Sequence, residues 1–128
     1  MHGAIGHGVW AIPEGYIPGS STGPDEMTSH ETLSFLNTSP EDAQVDILAY
    51  FSDREPAGPY RVMVPARRTL HLWLNDLDDP EPIPHDMDYA TLVRASVPIV
   101  VQHARLASRR AENALLSTMA HPVAGEAV

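Results

Sequence analysis

The chain has 128 residues, with 8 basic and 17 acidic side chains and a formal net charge of −9. A chain of this length accommodates one domain around one core, and 43% hydrophobic residues is too apolar for a disordered chain. Its apolar runs, such as Val97 to Val101, are far shorter than the ~20 residues of a membrane helix. These totals predict a soluble globular protein.

The residue types that are missing narrow the possibilities further. The chain has no cysteine, which excludes disulfides, thiolate metal sites and thiol catalysis. Residues 1–4 lack the basic and apolar regions of a secretory signal, so we expect a cytoplasmic location. All basic residues are arginine. The charge of −9 disfavours non-specific nucleic-acid binding, which depends on basic residues, and suits a basic partner surface.

Short segments rich in β-branched, aromatic and leucine residues follow one another along the chain. Twelve prolines and eight glycines disfavour long helices, because an interior proline costs about 3 kcal/mol. Many short strands with a turn every ten residues or so predict an all-β fold, an antiparallel, jelly-roll-like β-sandwich. We expect a single domain over residues 8–120, a flexible N-terminus over 1–7 and a flexible tail over 121–128. The predicted strands are Gly8–Ile12, His30–Asn37, Gln44–Ser52, Pro59–Val64, Arg67–Asn75, Tyr89–Ser96 and Pro98–Leu106.

Two further segments are less regular. The segment Asn75–Asp86 carries three prolines and five acids, which indicates an ordered loop with extended backbone before each proline. In the segment 111–120, Ala111, Ala114, Leu115 and Thr118 have helical spacing, which favours a helix, although a terminal strand also fits.

No motif indicates catalysis or a bound metal. The seven histidines form no His-x-His or His-Glu-x-x-His spacing. Ser29, His30 and Glu31 are adjacent, but members of a catalytic triad meet through folding and not through adjacency. There is also no Gly-x-Ser-x-Gly turn, phosphate-binding glycine loop or dinucleotide fingerprint. We therefore expect no catalytic residues, no metal, no cofactor and no enzymatic activity.

Polar and aromatic side chains embedded in the predicted strands are the strongest indication of a binding site. Aromatic faces beside planar hydrogen-bonding groups are suited to a polyhydroxylated ligand or a carboxylate. The alternative is that the tryptophans pack in a core or an interface and that the arginines pair with acids across the sheet. The residues concerned are Trp10, Glu14, His30, Arg67, His71, Trp73, Gln102, His103 and Arg105.

Six blocks of the sequence, in one register from about residue 8 to residue 120, carry a family resemblance. They are Trp10–Pro18, Ser29–Thr32, Tyr60–Thr69, Pro82–Asp86, Val97–His103 and Ala111–Thr118. Together they resemble the sensory rhodopsin transducer family. That resemblance implies a small cytoplasmic β-sandwich that assembles into a homotetramer. It also implies a ligand site at the matching positions Trp10, Glu14, His30, Arg67, Gln102 and Arg105.

Three functions follow as hypotheses. In the first, the chain is a non-enzymatic transducer that docks an acidic surface onto the basic cytoplasmic face of a sensory rhodopsin in the membrane. In the second, the chain is a small-molecule sensor that binds a sugar or a related metabolite, with no rhodopsin partner. The third is a DNA-binding regulator with a local patch of Arg105, Arg109 and Arg110, which the overall charge disfavours.

Overall fold

The computed structural model describes residues 4–17, 19, 30–107 and 114–123. Parts of the predicted N-terminal segment (1–3) and tail (124–128), together with Arg109 and Arg110, lie outside these residues. Within them the chain forms an antiparallel β-fold with one 3-10 turn at Leu74–Asp76. Its strands are β1 (His7–Tyr16), β2 (His30–Asn37), β3 (Ala43–Phe51), β4 (Ala57–Val64), β5 (Arg68–Trp73), β6 (Asp88–Ala107), β7 (Ala114–Met119) and β8 (His121–Pro122).

The strands form two sheets that share the long strand β6. Sheet I has the order β4-β3-β6-β1-β8, and sheet II has the order β5-β2-β6-β7. The first half of β6 pairs with β1 and β3, and its second half pairs with β2 and β7. This arrangement confirms the predicted single-domain antiparallel sandwich.

Alternation of apolar residues explains which face of each strand is buried. In β2 the side chains of Leu33 and Phe35 point inward, and in β3 those of Val45 and Ile47 do so. Side chains alternate between the two faces of a strand, so a period of two buries one face of each sheet. Both sheets contribute to one continuous apolar core, which also contains Trp10.

The structure joins two predicted strands into one. Tyr89–Ser96 and Pro98–Leu106 were expected as separate strands, but both belong to β6. Pro98 does not end the strand, because residues 96–98 fall between the two sets of partners, where no ladder pairing is made. Proline lacks an N–H group and is tolerated where the ladder needs none.

The end of the described chain is also a strand. Ala114–Met119 pairs with β6, so the structure decides between the helix and the strand in favour of the strand. Beyond it, His121–Pro122 pairs with β1. No helix among the described residues has the length and apolarity needed to span a membrane.

A buried carboxylate cluster and two candidate binding surfaces

The most unusual feature of the core is a fully buried carboxylate at the start of β2. Glu31 in β2 is fully buried, on the same face as Leu33 and Phe35. Its Oε1 accepts hydrogen bonds from Tyr89 Oη at 3.0 Å and from His103 Nε2 at 2.8 Å. Its Oε2 accepts from Arg105 Nε at 2.5 Å and from the Tyr16 N–H at 3.1 Å. We call Glu31, Tyr89, His103 and Arg105 the Glu31 cluster.

The Glu31 cluster also shows how sharply β6 turns. Tyr89 and His103 are 14 residues apart in the same strand, a distance of about 46 Å at the ~3.3 Å per residue of an extended chain. Their side chains nevertheless meet at one oxygen atom of Glu31. The two halves of β6 therefore lie on opposite sides of the core, and Glu31 joins them.

The donors around Glu31 decide its ionisation. Burial alone raises the pKa of this carboxyl, but the hydrogen bonds from His103, Arg105 and the Tyr16 backbone outweigh burial and lower the pKa below its usual value of 4.5. Burial raises the pKa of the Tyr89 hydroxyl, and the charge of Glu31 beside it raises it further. Tyr89 is therefore a hydrogen-bond donor at neutral pH. Because the ionised carboxylate can only accept, the Nε2 atom of His103 carries a proton.

The structure places the predicted ligand residues in several environments. Trp10 is buried in the core, where its Nε1 donates to the carbonyl oxygens of His7 at 2.9 Å and Ile99 at 3.0 Å. Glu14 is exposed on β1, and its Oε2 lies 3.8 Å from NH1 of Arg105. Arg105 thus links Glu14 at the surface to the buried Glu31 cluster.

The other three predicted residues lie apart from this ion pair. His30 stacks on Trp73, with ring centroids 3.7 Å apart and planes 8° from parallel. Arg67 is exposed in the turn between β4 and β5, with φ of 56° and its N–H donating to Ser39 O at 3.2 Å. Gln102 is exposed on β6. Of the six, Glu14 and Arg105 are brought within ion-pair distance of each other.

Glu31, Tyr89 and His103 were not among the six predicted ligand residues. The sequence does carry a signal for two of them. Glu31 lies two residues before Leu33 in β2, and His103 lies two residues after Val101 in β6. Side chains two residues apart share one face of a strand, so each is a polar residue at an inward position. A buried polar side chain needs partners, so two such residues on neighbouring strands indicate a pair inside the core.

The outward face of sheet II is a candidate ligand surface. No Asp, Glu, Lys or Arg lies on it among the described residues, although 20% of the whole chain is charged. A groove of about 250 Å³ crosses this face, with hydroxyl, imidazole and amide groups beside apolar ones. The groove is lined by Ser34, Phe35, Leu36, Thr69, His71, Val100 and Gln102.

The connection between β5 and β6, residues 74–87, is a candidate protein interface, and we call it the acidic connection. It carries five acids and no basic residue. Buried Leu74 and Ile83 hold it to the core, while Asp78 and Asp79 are exposed. Asp78 and Asp79 line a cleft of about 430 Å³ between the connection and the start of β4.

These features define a small antiparallel sandwich with the Glu31 cluster in its core and the acidic connection on its surface. The chain belongs to the Anabaena sensory rhodopsin transducer family, which it matches over residues 5–122. The solved structure of the Anabaena sensory rhodopsin transducer is 57% identical, with a TM-score of 0.71, covering 78% of this chain and 98% of that one. The crystal structure of Thermotoga maritima 1070 is 31% identical, with a TM-score of 0.84, covering 94% and 98%. No curated protein matches the chain in sequence.

Replacing Glu31 by glutamine tests the cluster. An amide in this position turns an N–H group toward neighbouring donors and leaves Arg105 without its buried partner, so we expect Glu31→Gln to lower the free energy of unfolding at pH 7 by about 3 kcal/mol. Urea denaturation measures this loss. Glu14→Gln, at an exposed carboxylate of the same region, is the control and should change it by less than ~0.5 kcal/mol.

The effect of Glu31→Gln on the free energy of unfolding should decrease as the pH falls. Since the pKa of Glu31 is lowered by folding, its contribution is complete above the usual value of 4.5 and disappears as the pH falls through the lowered pKa. The difference between wild type and Glu31→Gln should therefore shrink in acid. A difference that stays constant from pH 7 to pH 3 would contradict an ionised Glu31.

Proposed function

We propose that this protein is a signalling protein without enzymatic activity that docks onto the cytoplasmic face of a microbial sensory rhodopsin. The observation that carries the proposal is the match of the chain to the transducer family, with the Anabaena transducer at 57% identity. A cytoplasmic location follows from this role.

The acidic connection is the surface that we propose for docking. Cytoplasmic loops of membrane proteins carry an excess of lysine and arginine, and these positive charges complement the carboxylates of the acidic connection. Asp76, Asp78 and Asp79 make no side-chain hydrogen bond or ion pair with the described residues, so their charges are available to a partner. Such contacts between exposed charges weaken as salt rises, because the screening length is ~10 Å at 0.1 M.

Titration against Anabaena sensory rhodopsin in nanodiscs tests docking. We expect binding that weakens between low and high salt, and a further loss of about three- to tenfold in Asp78→Asn/Asp79→Asn, since exposed ion pairs contribute roughly 0.2–1 kcal/mol each. Glu14→Gln/Glu41→Gln removes the same charge at exposed positions outside the connection and should bind like wild type. Equal losses in both double variants would contradict docking through the acidic connection, and no binding at any salt concentration would contradict docking onto this rhodopsin.

We also propose that the chain forms a homotetramer, as its family resemblance implies. Exposed apolar side chains on the outward faces, Leu36, Tyr50 and Met63, support contacts between copies. Light scattering on the purified chain should give about four times the 14.0 kDa of one chain. A monomer mass at tens of micromolar would contradict this assembly.

The second candidate function is a sensor for a small neutral ligand such as a sugar. The observation that favours it is the charge-free groove on the outward face of sheet II, where hydroxyl, imidazole and amide groups lie beside apolar ones. Neutral polyhydroxylated molecules combine hydroxyl groups with apolar C–H surface, and such a groove complements both.

A thermal-shift screen with neutral sugars tests the sensor. A ligand that binds the native state raises the melting temperature as its concentration rises. We expect Gln102→Leu to abolish the shift, and Gln44→Leu, at an exposed glutamine on the outward face of sheet I, to retain it. A flat response across a broad sugar library would contradict the sensor, and a shift that survives Gln102→Leu would contradict this groove as its site.

A further inference from the structure

The Glu31 cluster touches the acidic connection at both of its ends. At the start of the connection, Asn75 Oδ1 accepts the backbone N–H of Glu31 at 3.1 Å. Two residues beyond its end, Tyr89 Oη donates to the Glu31 carboxylate at 3.0 Å. One residue in the core therefore holds the two points at which this exposed segment leaves and rejoins the sheets.

The Glu31 cluster reaches the connection by a second route through β1. The Tyr16 N–H donates to the Glu31 carboxylate, and Tyr16 Oη donates to Asp86 Oδ1 at 3.2 Å. The Asp86 N–H donates in turn to Ile17 O at 2.8 Å. The last part of the acidic connection is thus bonded to residues that are themselves positioned by Glu31.

A separate set of contacts holds the middle of the connection. Tyr60 Oη donates to Glu81 O at 2.7 Å, and Arg54 NH2 forms an ion pair with Glu81 Oε1 at 2.8 Å. These contacts come from β4 and from the turn before it, and neither involves Glu31. The ends and the middle of the connection can therefore respond differently to a change in the core.

We propose that Glu31 is a conformational coupling element: the contacts of its carboxylate, together with the hydrogen bond from its backbone N–H to Asn75, set the conformation of the acidic connection and link that surface to sheet II. When these contacts change, the two ends of the connection loosen together, while β3 and β4 keep their pairing. The carboxylate makes none of its hydrogen bonds to β3 or β4. The coupling is a property of the fold and does not depend on the docking proposal.

Amide hydrogen exchange of the whole chain, read by mass spectrometry, tests the coupling. In Glu31→Gln we expect exchange to accelerate about tenfold in peptides covering 74–89 and 14–17, because local opening of these segments becomes easier. Peptides covering 44–50 and 58–63 should stay protected over the same exchange times in both proteins, because they open only when the whole sandwich unfolds. The matched control is Val45→Ala, which removes buried volume from β3 without touching Glu31.

The outcomes separate coupling from general destabilisation. Faster exchange confined to 74–89 and 14–17, and absent there in Val45→Ala, supports the proposal. Equal acceleration in all segments, the same pattern in Val45→Ala, or no change would overturn it. Should Glu31→Gln fail to fold, Tyr89→Phe removes one donor and leaves the charge in place, and it must accelerate exchange in the same segments by at least about twofold for the coupling to stand. No receptor or ligand is present, so the result is independent of docking and sensing.

Discussion

A carboxylate taken out of water is destabilising unless it is paired and hydrogen-bonded, and that requirement organises this sandwich around Glu31. Its two oxygens accept four hydrogen bonds, from a phenol, an imidazole, a guanidinium and a backbone N–H. These donors come from β1 and from both halves of β6, so satisfying one charge brings three parts of the chain together. Apolar burial supplies most of the stabilisation of such a core, whereas an arrangement that separates the buried charge from its partners is strongly destabilised.

A second buried polar side chain complements Glu31 at the opposite end of β2. Asn37 is also fully buried, and its Nδ2 donates to Val64 O at 3.0 Å and to Glu41 O at 2.8 Å. Between the two, Leu33 and Phe35 fill the core. A slip of two residues in β2 keeps its apolar side chains facing inward but separates both polar groups from their partners. The ends of β2 therefore fix its register more strictly than its apolar residues do.

How much of this was predictable from the sequence depends on whether the signal was local. Strand-forming residues between turn-rich stretches predicted β2 at its observed bounds, because composition and turns are signals within one segment. The same local signals predicted two strands separated before Pro98, whereas the structure has one strand, β6. The proline is tolerated because β6 changes its neighbouring strands at this point, and the sequence of one strand does not show its neighbours. The helical spacing in 111–120 was overridden by pairing with β6 over Ala114–Met119. The Glu31 cluster joins residues 58 to 74 positions apart, and local patterns carry no such distances.

The late position of β6 in the sequence affects when the two sheets can form during synthesis. β1, β2 and β3 all pair with β6, yet all three are synthesised long before residue 107 emerges from the ribosome. Until then the edges of β2 and β3 that β6 covers in the finished fold are open, and such edges invite pairing with other nascent chains. The two sheets therefore join late, when the twenty-residue central strand arrives and covers both edges.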